Sequence, residues 1–366
     1  MSESRMEENK LLFYERLPNI TSVRFFLAFL VMIYHIPLFS QKRGFAYFDD
    51  WAVFHKGQEA VYMFFALSGF LIIRQLYVEK QNTNTVSLKN FYLRRILRIL
   101  PLYYLILLIG FVHYQVILPN LGFERENNYN LLEGIFLGVT FFANILALRG
   151  PGGILEVLWS IGIEEQFYLL IAPAIYFLPK RRITLFLLLF TGLYFCLFMS
   201  EEFPLLQRYR MYFYYFSLSG FFSILLLKYK SFQIPAIVKY VILSVTILYF
   251  TTPVFDNLFD NAAYHLFSMI LFALVIPVLT TMKINLLENS SLTYLGKISY
   301  GIYMYHAILM HIAGILYLKI SFFSNLPFAL SVILFNVFVV MGTIIVSHFS
   351  YKYYESYFLK KKKNFR

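Results

Sequence analysis

The chain has 366 residues, of which 59% are hydrophobic, 20% aromatic and only 14% charged. No soluble domain of this size needs so much apolar surface, so the composition excludes an ordinary globular enzyme and indicates a polytopic, all-α membrane protein that forms one helical domain over 1–366. A net charge of +12 would suggest nucleic acid in a soluble protein; here the cations read first as topology signals, and no nucleic-acid partner is expected.

A helix rises about 1.5 Å per residue and the hydrocarbon core is about 30 Å thick, so runs of about 20 apolar residues mark spans. Ten are expected, near 20–39, 58–77, 97–117, 164–179, 183–199, 211–227, 236–252, 265–281, 299–317 and 327–348. The apolar piece at 134–148 is short and is followed by the turn-forming RGPGG, which predicts a re-entrant or interfacial segment. With the N-terminus inside, basic residues favour the inner segments by roughly three to one, so both termini are expected in the cytoplasm. The tail KKKKNFR is expected to rest near anionic lipid headgroups. The polar N-terminus leads straight into many long apolar runs, which argues against a removable signal peptide. Cys196, the one cysteine, leaves no internal disulfide.

The first span, TSVRFFLAFLVMIYHIP, carries Arg24 and His35, both costly in a membrane. Their separation of eleven residues puts them within about 20° on one helix face and roughly 16 Å apart along the axis. The plainer explanation is that Arg24 snorkels to one interface and His35 reaches the other. In the second span Ser68 and Gly69 interrupt an aromatic run, as small residues do where helices pack closely. The third opens with Arg94, Arg95 and Arg98; Arg95 and Arg98 share a face, and a guanidinium so close to a continuous apolar run suits a buried anion.

Trp159, Glu164, Glu165 and Gln166 are expected at the mouth of the fourth span, where carboxylates are favoured by the helix dipole. Adjacent acids face different directions, so either Glu164 or Glu165 could orient an imidazole. Ser299, Tyr303 and His306 form a polar stripe in the ninth span, the pattern of a helix that faces a cavity. The histidines and the single thiol lack metal-ligand spacing, and no metal is expected.

The spacing from Arg24 to His35, together with FFALSGFLI, RRILRILP, LWSIGIEEQFYLL and GKISYGIYMYH in this order, resembles the acyltransferase-3 family, which includes O-acetyltransferases of O-antigen and other cell-surface polysaccharides. The resemblance covers the whole chain and implies ten transmembrane helices with cytoplasmic termini in a cell membrane, here the bacterial cytoplasmic membrane. It implies that His35 is catalytic with Arg24 as its motif partner, that Arg95 and Arg98 are required, and that acyl-CoA, usually acetyl-CoA, donates to an acceptor on the outer face, a saccharide or glycolipid. Where many members carry Glu-Pro after the last span, this chain has Glu355-Ser356. Some members add a C-terminal SGNH-type esterase domain; this chain stops too soon for one, so acceptor handling is expected of the membrane domain or a partner.

On this basis neutral His35 is expected to act as general base on an acceptor hydroxyl, with Glu164 or Glu165 fixing its tautomer. Tyr303, His306 and Trp159 are candidate oxyanion donors, and Ser68 and Ser299 further candidates for substrate contact. Arg95 and Arg98 would grip CoA phosphates with Arg24 at the mouth of the path to His35. A variant has His35 carry the acyl group covalently. The alternative from another class is a transporter or channel lined by Arg24, Glu164 and His306.

Overall fold

The computed structural model describes residues 17–124, 129–229, 233–320, 322 and 326–365. Arg5, Lys10, Arg16, Arg125, Lys230 and Arg366, which enter the charge asymmetry, lie outside the described residues. Among the described residues there is helix and no strand, as backbone without water to bond requires within lipid. The protein is an all-α, multi-pass membrane protein.

Each of the ten apolar segments falls on a helix. These are α1 (Ile20–Lys42), α2 (Gly57–Thr83), α3 (Leu88–Val112), α4 (Trp159–Phe177), α5 (Lys180–Met199), α6 (Phe213–Lys228), α7 (Ala236–Thr251), α8 (Asn261–Thr281), α9 (Ser299–Lys319) and α10 (Phe328–Ser350). Seven of them are long and apolar enough to cross a bilayer, while α6 and α7 are apolar but shorter. In α4 the apolar run is diluted by Glu164, Glu165 and Gln166.

Three boundaries differ from the sequence reading. α3 starts at Leu88 and reaches Asn120 through a π turn at His113–Ile117, so the three arginines lie more than a turn inside the helix rather than at its opening. α4 starts at Trp159, which puts Glu164 and Glu165 more than a turn inside and beyond the strongest reach of the helix dipole. α10 continues through a π turn at Tyr351–Glu355 to Lys361. In α3 and α10 the helix runs on past the apolar stretch, which marks only its lipid-depth portion. The segment at 134–148 forms two short helices, Leu131–Val139 and Ala143–Ala147, held to α3 by Tyr103, whose hydroxyl donates to the Gly138 carbonyl at 2.7 Å.

The helices group into two compact units interleaved in sequence. One comprises the described residues up to Ile20, Val61–Tyr92 and Ile163–Asn289; the other comprises Thr21–Ala60, Leu93–Gly162 and the chain from Ser290 onward. In the first, α6 packs on both α5 and α8, and its side chains from Phe213 to Gly220 are all buried, which is how a 16-residue helix hides its whole circumference. Lys80 of α2 closes the end of α4 by donating to the carbonyls of Ile175, Tyr176 and Leu178 at 2.6, 2.8 and 2.5 Å, satisfying acceptors that a helix C-terminus leaves open.

The Ser68-Gly69 break in α2 has its explanation in this unit. A Cβ on Gly69 would lie 2.1 Å from the Phe216 carbonyl oxygen and 2.4 Å from its Cα, so α2 and α6 meet backbone to backbone. Gly69→Ala must push the helices apart and is expected to destabilise the protein by about 1–3 kcal/mol or more. Gly192→Ala in α5, with nothing within 4 Å of the added carbon, is expected to hold or gain stability through helix propensity. Thermal unfolding in detergent, followed by size-exclusion fluorescence, checks the pair; equal behaviour of the two variants would refute the close-contact explanation.

In the second unit α9 packs on α10. Gly296, in the short helix Ser290–Lys297 that precedes α9, is where this segment meets α1: a Cβ there would fall 1.8 Å from the Thr21 carbonyl oxygen. The GKISYGIYMYH stretch is thereby docked on α1, the helix that carries Arg24 and His35.

Candidate active site

His35 lies two residues before Pro37 in α1, and His306 lies in the middle of α9. His306 is fully buried and His35 half-buried. The two imidazoles meet, His35 Nδ1 being 3.2 Å from His306 Nε2 with ring centroids 5.1 Å apart.

The partners of this pair assign its protons. His306 Nδ1 is 2.6 Å from the Tyr303 carbonyl oxygen, which only accepts, so Nδ1 carries the hydrogen and Nε2 of neutral His306 carries a lone pair. His35 Nδ1 faces that lone pair and, at 2.9 Å, the Val31 carbonyl oxygen. Both are acceptors, so Nδ1 of His35 is the protonated nitrogen and its Nε2 is the basic one. Among the described residues Nε2 has no hydrogen-bond partner. A bare nitrogen with its tautomer held from behind is what a general base requires. If it takes a proton, the resulting imidazolium donates through Nδ1 to His306 and to Val31.

The rest of the α9 stripe has its protons committed. Ser299 donates to the Gly296 carbonyl at 2.9 Å. Tyr303 donates to the Val157 carbonyl at 3.0 Å, and Ser160 therefore donates to the Tyr303 hydroxyl oxygen at 2.5 Å. Tyr303 thus fixes the start of α4, where Trp159 is buried, and its hydroxyl hydrogen points to a main-chain oxygen rather than to a substrate. Of the three stripe residues, His306 is the one joined to His35.

Glu164 belongs to the other unit. There it accepts from Ser68 of α2 at 2.7 Å and from Tyr168. Glu165, also in that unit, acts electrostatically on Tyr92. The positions that hold the tautomer of His35 are filled by Val31 and His306. Sequence reasoning named His306 without its contact to His35, because residues 271 apart in the chain leave no local signal of their meeting.

The second polar locus is cationic. Arg94 and Arg95 are buried in α3, and Arg98 and Arg24 are partly so. The charges of Arg98, Arg95, Arg24 and Arg94 all act on Lys362, in the turn after α10. Arg98 also acts on Glu355, a buried carboxylate that accepts from Ser350 at 3.1 Å, and Ser350 accepts from Tyr305 at 3.0 Å. Two tyrosines fix α3 at this level: Tyr300 donates to the Ile99 carbonyl at 3.0 Å and Tyr354 to the Pro101 carbonyl at 2.9 Å. Four guanidiniums near one buried acid leave a positive excess, a charge pattern suited to an anion.

His311, on the same helix as His306, takes another direction. It contacts His113 at 3.2 Å and Tyr114 at 2.9 Å, while the Ile154 amide donates to the Tyr114 hydroxyl at 3.0 Å. This cluster ties the π turn of α3 to α9 and to the segment before α4. Among the described residues no group of three His, Cys, Asp or Glu side chains is placed to hold a metal ion.

A family model described as "Acyltransferase domain" matches residues 17–349. The chain belongs to the acyltransferase-3 family. It is 29% identical over 160 residues to the peptidoglycan O-acetyltransferase OatA of Listeria monocytogenes, a match covering 42% of this chain and 23% of that protein. It is 24% identical over 385 aligned positions to a Staphylococcus aureus protein named "Putative O-acetyltransferase", covering 94% of this chain and 58% of that one. It is 27% identical over 305 residues to a protein of Acidianus two-tailed virus named "Putative acetyltransferase", covering 76% and 84%. The chain thus spans less than two thirds of the Listeria and Staphylococcus relatives. No solved structure matches it.

Proposed function

We propose that this membrane acyltransferase moves an acyl group, acetyl first among candidates, from cytoplasmic acyl-CoA to a hydroxyl of a saccharide or glycolipid on the outer face of the bacterial cytoplasmic membrane. The observation that carries this is the His35–His306 pair: a half-buried imidazole held in one tautomer by Val31 and His306, with its basic nitrogen unbonded among the described residues, on the same helix as one member of the cation cluster. The names of the bacterial relatives support the acetyl group and the saccharide class.

In this reading the donor's phosphates lie among Arg24, Arg94, Arg95 and Arg98, and its pantetheine arm spans the roughly 16 Å that separate Arg24 from His35 along the helix. His35 Nε2 removes the acceptor's hydroxyl proton as the oxygen attacks the thioester carbonyl. The C–S bond then breaks, and the proton held on His35 passes to the departing thiolate, so the imidazole ends neutral. His306 and Val31 stabilise the transient imidazolium through Nδ1.

The test uses purified protein in nanodiscs with acetyl-CoA labelled in the acetyl group and an extract of bacterial envelope saccharides and glycolipids. Label on a saccharide or glycolipid, read by mass spectrometry, is the expected result. If several acyl-CoA donors neither bind nor lose label, while proteoliposomes conduct protons or solutes, a transport function replaces this one.

A further inference from the structure

The sequence predicts a basic tail resting near anionic lipid headgroups, yet one of its lysines is partly covered. After the π turn at Tyr351–Glu355 the chain continues through Ser356–Lys361 into a tight turn at Lys362–Phe365. Arg94 of α3 holds that turn by donating to the Phe365 carbonyl at 2.8 Å. Lys360 is exposed, whereas Lys362 is partly covered and lies within the charge of Arg24 from α1 and of Arg94, Arg95 and Arg98 from α3. On its own segment, Glu355 and Tyr351 are reached by the charge of Arg98.

We propose that Lys362 is a fifth ligand for the phosphates of the acyl donor and takes up a proton as the donor binds. This deepens the proposed function and rests on it. Four guanidiniums that cannot release their protons act on an amine that can. Burial, reinforced by Arg98, Arg95, Arg24 and Arg94, lowers its pKa to about 6 in the free protein, so near pH 8 the amine is neutral. A polyanion placed among the same groups reverses their repulsion and favours the ammonium form. The proton comes from solvent and binds the Nζ lone pair.

The sign follows from linkage. The protonated form binds the anion more tightly, so the contribution of Lys362 to affinity is fully present below its free pKa of about 6 and falls as pH rises above it, until the pKa of the bound state is passed. The slope between the two approaches about tenfold per pH unit.

Isothermal titration of the full chain in nanodiscs with acetyl-CoA, at pH 8 in buffers of different ionisation enthalpy, reads the proton directly. At that pH a phosphomonoester, with its second pKa of about 6, is already ionised. Wild type is expected to take up roughly one proton per donor. Lys362→Arg is expected to bind the donor with no such uptake and with less than about a twofold change in affinity from pH 7 to 8. Donor binding without proton uptake by wild type, or the same uptake in Lys362→Arg, overturns this inference while leaving the proposed function intact. A wild type that binds no acyl-CoA at any pH overturns both.

Discussion

His35→Ala is expected to lower turnover by about 10²–10⁴-fold, the range that a positioned general base supplies, with donor affinity little changed. The separation of effects follows from position: the basic Nε2 of His35 is aimed away from its own tautomer-holding partners, and the cation cluster lies near the other end of α1. His306→Ala removes a different element. In the proposed mechanism the His35 imidazolium donates through Nδ1 to His306, and loss of a hydrogen bond to a charged group costs roughly 1.5–3 kcal/mol, about 10–150-fold in turnover. The Val31 carbonyl at 2.9 Å still selects the tautomer, so His306→Ala is the milder of the two. Single-turnover transfer of labelled acetyl, measured beside donor binding, separates these outcomes. Turnover of His35→Ala within tenfold of wild type would remove His35 from the chemistry. The reverse ranking, with His306→Ala far more severe, would make His306 the base.

Much of this fold is written in the length of the apolar runs, and all ten runs became helices because lipid leaves the backbone no other way to satisfy itself. Helix ends were less legible. Arg94, Arg95 and the residues past His348 extend helices in which side-chain polarity, not backbone conformation, changes at the apolar boundary. Within the site, residue types that carry chemistry stood out because each is costly at its depth. Which of them touch could not be read from spacing: Arg24 and His35 share a helix and so obey its period, whereas the meeting of His35 with His306 and of Ser68 with Glu164 depends on helices far apart in the chain. Spacing also could not show that the hydroxyl protons of Ser299 and Tyr303 were already given to the carbonyls of Gly296 and Val157. Lys362 was hidden by its neighbours, since one partly covered lysine in KKKKNFR looks like the other three.

The cation cluster yields the second large effect, and its sign can be tested from both directions. Arg98→Ala removes a permanent charge and its charge-assisted bonds to phosphate and is expected to weaken acetyl-CoA binding by about 10–150-fold while sparing turnover at saturating donor. Arg98→Lys is expected to recover only part of this, because a point charge cannot reproduce the planar fork. Arg98 also acts on Glu355, so a loss in Arg98→Ala could arise from disturbing that buried carboxylate. Glu355→Gln discriminates. Gln keeps an acceptor for Ser350, which donates to Glu355 at 3.1 Å, and, at a pH high enough to ionise this buried acid, removes a negative charge from the neighbourhood of the cluster. If the cluster binds donor phosphates, Glu355→Gln must tighten binding while Arg98→Ala weakens it, with stability preserved in both. If both variants weaken binding, the Arg98–Glu355 pair supports the helices instead, and the phosphates must be held elsewhere.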